Sequence, residues 1–143
     1  TAMRLMQAGA SLSEITERTL NHRPLNVLRL WGLALSRVQV RQRVAWISIT
    51  QRMRGKVNAP PAGDGGLVSQ LINAPEATIA AVFSETADDK VEISFRAKAG
   101  YDVSQIALSL GGGGHPQAAG CTIRGLLETA EERVLPLLFQ AAG

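Results

Sequence analysis

Four consecutive glycines, Gly111 to Gly114, followed by His115 and closed by Ala118-Ala119-Gly120, restrict this chain more than any other stretch. Without Cβ atoms they admit positive φ and the close approach of another backbone or a ligand. Successive main-chain N–H groups in such a turn can form a concave anion-binding nest. A histidine on its rim adds a donor that can carry charge near neutral pH. The flanking residues constrain the setting further. Asp102-Val103-Ser104-Gln105 is a capping-box pattern that predicts a helix through Leu110, and Gly120 to Arg124 reads as a strand. Glycine-rich phosphate loops of the P-loop and Rossmann kinds run strand, loop, helix. Here the order is reversed, which excludes both. A phosphate at this loop would meet the negative end of a helix, at a cost of about 0.3–1 kcal/mol, so cationic side chains must offset it. Binding is then expected to tighten as pH falls through the histidine range. The alternative is purely structural: the glycines end a helix, and His115 is a surface or core residue.

The rest of the chain predicts alternating elements. Residues 1 to about 42 read as helical, with a capping box at Ser11-Leu12-Ser13-Glu14 and an interruption at Pro24. From Leu25 to Val40 the residues Val27, Leu30, Trp31, Ala34, Leu35 and Val38 recur at helical spacing, with Trp31 as a packing residue. Val44 to Gln51 is a strand by composition, and Arg52 to Gly66 a loop. Asp64 is placed to cap a short helix covering Leu67, Val68, Leu71 and Ile72. Ala77 to Glu85 and Lys90 to Lys98 read as paired strands around Thr86-Ala87-Asp88-Asp89. The second strand alternates: Val91, Ile93 and Phe95 face one way, and Lys90, Glu92, Ser94, Arg96 and Lys98 the other. An amphipathic helix from Leu126 to Gln140 ends the chain. The expected class is α/β, a mixed β-sheet with flanking helices, preceded by a helical linker segment. Residues 1–42 form that segment and residues 43–143 the domain.

Bulk properties narrow the function classes. A chain of 143 residues, 45% apolar, buries one core. No apolar stretch approaches the roughly 18 residues of a membrane span, and no signal-peptide pattern opens the chain. Its start, Thr1-Ala2-Met3, lacks an initiator and reads as a piece of something longer. The single cysteine, Cys121, precludes an internal disulfide and favours the cytoplasm; within a buried strand it reads as an inert core thiol. Two histidines and one cysteine argue against a zinc site. Ten basic residues precede Val57 against two acids, whereas five bases and ten acids follow. Such a half can attract polyanions, or serve as a solvated face against an acidic neighbouring domain, the reading preferred for dispersed arginines.

The stretch Asp102 to Leu110 with Gly111-Gly112-Gly113-Gly114-His115 and Ala118-Ala119-Gly120 resembles the signature of the DHH-associated C-terminal domain of the DHH phosphoesterase family. Ser94-Phe95-Arg96-Ala97-Lys98 resembles the family's serine-x-arginine strand, and Asp64-Gly65-Gly66-Leu67-Val68-Ser69 its glycine-leucine-valine helix start. These motifs keep their order over residues 44–143. The nearest likeness is to the RecJ-like bacterial oligoribonuclease and phosphoadenosine-phosphate phosphatase type. The resemblance implies a hydrolase that cleaves phosphodiester or phosphomonoester bonds with two manganese ions, held by an N-terminal catalytic domain bearing Asp-His-His. It implies that His115 contacts a substrate phosphate, that Arg96 contacts phosphate or base, and that Gly112, Gly113 and Gly114 allow close main-chain approach. Lys98 is a weaker substrate-binding candidate. The residues agree with this in part, since Arg96 offers a planar bidentate fork on the polar face of its strand; its alternative is a surface ion pair with Glu92 or Asp88.

The chain also departs from the family pattern. It contains no Asp-His-His triplet, Pro116 and Gln117 stand where some relatives carry basic residues, and Ser69 stands where asparagine is common. No catalytic residue, metal ligand or cofactor is therefore assigned to this chain, and manganese is implied only for the catalytic domain. The expected partners are a short RNA or nucleotide phosphate and the chain's own N-terminal catalytic domain, with no membrane. A second reading is a non-catalytic nucleic-acid-binding module. Few aromatics are present, with Tyr101 nearest the loop, which favours short ligands over extended stacking. A third is an interaction or homodimerisation domain built on the N-terminal apolar helices.

Overall fold

The computed structural model describes residues 24–143. The capping box at Ser11–Glu14 lies outside the described residues. The elements run α1 (Leu25–Leu35), β1 (Gln39–Arg41), β2 (Val44–Ile49), α2 (Gln51–Val57), α3 (Leu67–Leu71), β3 (Ile79–Glu85), β4 (Lys90–Ala97), α4 (Ser104–Ser109), β5 (Gly113–His115), β6 (Ala118–Arg124) and α5 (Leu127–Ala142). The six strands form one sheet in the order β1-β2-β3-β4-β6-β5. Only β2 and β3 pair in parallel, across the crossover that carries α2 and α3; all other pairs are antiparallel. The α/β class with a mixed sheet is the observed one.

Side-chain alternation divides the sheet into two different faces. Trp46, Phe83, Ile93, Phe95 and Cys121 face α4 and α5, which cover them with Val103, Ala107, Val134 and Leu138. On the opposite face Ala45, Ile47, Ile49, Ala80 and Val82 are covered by Leu30 and Ala34 of α1, Met53 of α2 and Leu67, Val68 and Leu71 of α3. These helices cover the β2–β3 half. The same face of β4, β6 and β5 carries half-buried Glu92, Ser94 and Arg96, exposed Thr122 and exposed His115; α3 reaches across β3 as far as β4.

Two segments differ from the sequence expectation. Val38 to Val40 does not continue α1. Instead the chain turns at Gln42 and Arg43, both with positive φ (51° and 67°), and returns β1 against β2. Arg41 closes this edge by placing its guanidinium 4.5 Å from the centre of the Phe139 ring. The segment after Gln51 is a helix rather than a loop. The Thr50 hydroxyl accepts from Met53 N at 3.1 Å, and Asn58 ends the helix in the left-handed conformation with φ of 54°.

That helix carries the buried charge of the domain. Arg54 is 2% exposed, and its guanidinium donates to Pro60 O at 2.9 Å and Gly63 O at 2.7 Å. It thereby ties down a loop with little apolar content of its own. Asp64 then does what its sequence position predicts: its carboxylate accepts from Gly66 N at 2.9 Å and Val68 N at 3.0 Å, starting α3. Trp31 packs and also bonds, its indole N–H donating to Asp64 O at 2.8 Å.

Candidate functional site

The glycine run performs three separate tasks. Gly111, with φ of 88°, donates to Leu108 O at 3.1 Å, and Gly112 donates to Ala107 O at 2.8 Å. This is a Schellman closure of α4. The carbonyls at the helix end are satisfied by the glycines' own N–H groups, so those two amides do not form a ligand nest. Gly113 to His115 then form β5, an edge strand, where the sequence suggested a loop. A Cβ on Gly112 would lie 2.1 Å from Gly120 O, and one on Gly114 would lie 2.5 Å from the Ala119 Cα. Both positions need glycine to let β5 seat on β6. Gly113 differs, because a Cβ there would meet nothing within 4 Å.

Register brings the sequence-predicted side chains into one row. Arg96 of β4 pairs with Ala118 of β6, and Ala118 pairs with His115 of β5. Residues paired across strands point to the same face, so Arg96 and His115 flank the Ala118 methyl at about 9–10 Å between their Cα atoms. The next row is Ser94, Gly120 and Gly113, which has almost no side-chain relief. The result is a flat floor with a guanidinium on one side and an imidazole on the other.

Each of these groups is positioned by its neighbours. Arg96 donates through Nη1 to Phe95 O at 2.8 Å, and among the described residues it makes no ion pair with Glu92 or Asp88; Asp88 instead pairs with Lys90 at 3.2 Å. The β5–β6 turn is held at both residues: Val103 N donates to Pro116 O at 2.8 Å and Ala97 N to Gln117 O at 3.0 Å. Lys98 follows β4 on the Arg96 face, but its Nζ donates to Ala74 O at 2.7 Å and so tethers the segment after α3. Tyr101 packs partly buried against the α4–α5 side of the core. Cys121, one residue beyond Gly120, faces that core, where burial pushes its thiol up to about 11.

Sequence reasoning missed the continuation of this face. Beyond Ser94 it runs to Glu92 paired with Thr122 and Lys90 paired with Arg124. The parity of β4 already placed Lys90 and Glu92 with Arg96. The partners on β6 could be assigned only once the register was known. Among the described residues, no three His, Cys, Asp or Glu side chains come together in a way that could hold a metal ion.

The family model of the DHHA1 domain matches residues 42–142. The chain belongs to the DHHA1 domain family. This DHHA1 domain is 36% identical over 135 residues to a Thermus thermophilus protein named bifunctional oligoribonuclease and PAP phosphatase NrnA, covering 94% of the chain and 40% of the relative. A protein of the same name from Mycoplasma pneumoniae is 28% identical over 120 residues, with 84% of the chain and 36% of the relative covered. The chain thus spans about two-fifths of the length of these curated relatives. In structure it resembles an exopolyphosphatase-related protein from Bacteroides fragilis, with a TM-score of 0.81 and 25% identity over 96% of the chain and 41% of that protein. The fold is also that of the pGpG-specific phosphodiesterase PggH from Vibrio cholerae, with a TM-score of 0.60 and 19% identity over 99% of the chain and 50% of that protein. Among the described residues of the DHHA1 domain, no helix is long and apolar enough to cross a membrane.

Proposed function

We propose that this DHHA1 domain grips the phosphate of a short oligoribonucleotide or an adenosine bisphosphate for a cytoplasmic, manganese-dependent phosphoesterase. The observation that carries this reading is the Arg96–Ala118–His115 row, two donor side chains flanking a small residue across β4, β6 and β5. The guanidinium presents a planar fork to phosphate oxygens, and the imidazole supplies a further donor from the opposite side. Gly113 leaves the backbone beside them open to a ligand, while Gly112 and Gly114 allow β5 to lie where His115 reaches that ligand. Lys98 adds positive charge from the end of β4 in addition to its tether. The names of the curated relatives support the substrate class.

The described residues do not fit a manganese centre, since they bring together no set of ligands. No hydrolytic step is therefore derived from them. In this reading the domain binds and orients, and the metal belongs to the chain's own catalytic domain.

Calorimetric titration of the chain with pApA and with adenosine 3′,5′-bisphosphate tests the proposal. Arg96→Ala and His115→Ala are each expected to weaken both ligands about tenfold, the scale of one charge-assisted hydrogen bond. Unchanged affinity in both variants overturns the reading. A strong preference for long strands, with steep salt dependence and no response to phosphate ends, favours a nucleic-acid-binding module instead.

A further inference from the structure

A cavity opens on the same face of the sheet, toward the other end of β4. It measures about 380 Å³ and is lined by Pro61, Ala62, Thr86, Asp88, Glu92 and Thr122, among others. We infer that this cavity is a nucleoside subsite, which takes the sugar and base of a ligand whose phosphate sits between Arg96 and His115. The inference rests on the phosphate reading above and adds the part of the ligand that lies beyond the phosphate.

Position supports it first. Glu92 and Thr122 pair across β4 and β6, two residues along each strand from Ser94 and Gly120, which are in turn two from Arg96 and Ala118. From Arg96 to Glu92 is four residues of β-strand, about 13 Å between Cα atoms. Between the two lies the row of Ser94, Gly120 and Gly113, which itself carries no large side chain. The volume is at the small end of the range of ligand pockets, about 300–1,000 Å³.

Chemistry supports it second. The cavity is poor ground for a phosphate and good ground for hydroxyl and amino donors. Asp88 is already engaged, accepting from the Thr86 hydroxyl and pairing with Lys90. Glu92 is half-buried and, among the described residues, accepts no hydrogen bond. Its charge is balanced at longer range by Arg54, whose field it shares. A half-buried carboxylate with open acceptor sites is matched by a ligand that brings N–H or O–H groups. Thr122 beside it can both donate and accept, and Pro61 and Ala62 offer apolar cover.

Rigidity supports it third. Pro61 and Ala62 belong to the loop whose carbonyls at Pro60 and Gly63 are held by the buried Arg54. The wall of the cavity is therefore fixed by the core.

The test compares two probes, pApA and inorganic tripolyphosphate, by calorimetric titration at one ionic strength. Glu92→Ala is expected to weaken pApA about tenfold while leaving tripolyphosphate unchanged or tighter, because a negative charge has gone. Thr122→Val, on an exposed strand position, is expected to weaken pApA severalfold and leave tripolyphosphate unchanged; it guards against a folding defect in the first variant. Arg96→Ala is expected to weaken both probes. Equal effects of the Glu92 and Thr122 variants on the two probes, or no effect on pApA, overturn the nucleoside subsite while the phosphate grip stands. An Arg96→Ala variant that binds both probes normally overturns the phosphate grip and this inference with it.

Discussion

Gly114 lies so close to Ala119 that a Cβ built on it would come within 2.5 Å of the Ala119 Cα. One residue earlier, Gly113 has open space at the same position. Alanine therefore separates folding from ligand approach within a single run. Gly114→Ala, which also meets an unfavourable φ of 143°, is expected to lower stability by at least about 2 kcal/mol in urea unfolding. Gly113→Ala should unfold close to the parent but bind pApA more weakly. Equal melting of the two variants would remove this division.

Arg54 is expected to be worth more to stability than any exposed arginine. Its replacement by Met leaves Pro60 O and Gly63 O without their donor, at a cost of about 2–4 kcal/mol. Hydrogen exchange should rise first in residues 59–66, ahead of the sheet. Protection unchanged in that segment would show that the loop holds itself.

Lys98 separates a tether from a ligand contact. With Nζ bonded to Ala74 O, Lys98→Met should cost about 1 kcal/mol of stability. Its effect on pApA affinity should be smaller than that of Arg96→Ala. A larger loss of affinity than Arg96→Ala gives would make Lys98 the principal cation of the face.

The pH dependence of stability has two limbs of opposite sign. Burial raises the Cys121 thiol from 9.0 to about 11, so its contribution is fully present below pH 9 and is lost as pH rises through that window. The stability difference between the parent and Cys121→Ala should shrink over the same range, and alkylation of the native thiol should be slow at pH 8. Asp102 shifts the other way, lowered mainly by the Ser104 hydroxyl and then by the Ser104 N–H. Its contribution is present above the ordinary carboxylate value and is lost as pH falls through the folded one. Asp102→Asn should flatten that acid limb in urea unfolding.

Much of the sheet was legible because parity is a strong signal. The alternation of Val91, Ile93 and Phe95 correctly assigned both faces of β4, and Asp64 started α3 where its position predicted. The hairpin of β1 was hidden because Gln42 and Arg43 adopt positive φ without the usual glycine or asparagine. Helix α2 was hidden because Thr50 and Asn58 cap a short segment whose Gly55 and basic residues resemble a loop. Of the site, the Arg96 and His115 pairing needed the β4–β6–β5 register, which no local pattern encodes. The glycine run was misleading in one respect: local reasoning offered its amides to a ligand, whereas α4 and β6 occupy much of what it provides.

The turn that follows His115 is bonded through both of its carbonyls, Pro116 O to Val103 N and Gln117 O to Ala97 N. The backbone that carries His115 is consequently preorganised: the conformational entropy of placing it is spent during folding, and only the rotamer of the exposed imidazole remains for a ligand to fix. A ligand that fits the row as it stands leaves both of these hydrogen bonds in place. One that requires the turn to move must break two core-anchored hydrogen bonds first. In the proposed reading, selectivity at this edge of the sheet rests on rigidity as well as on charge.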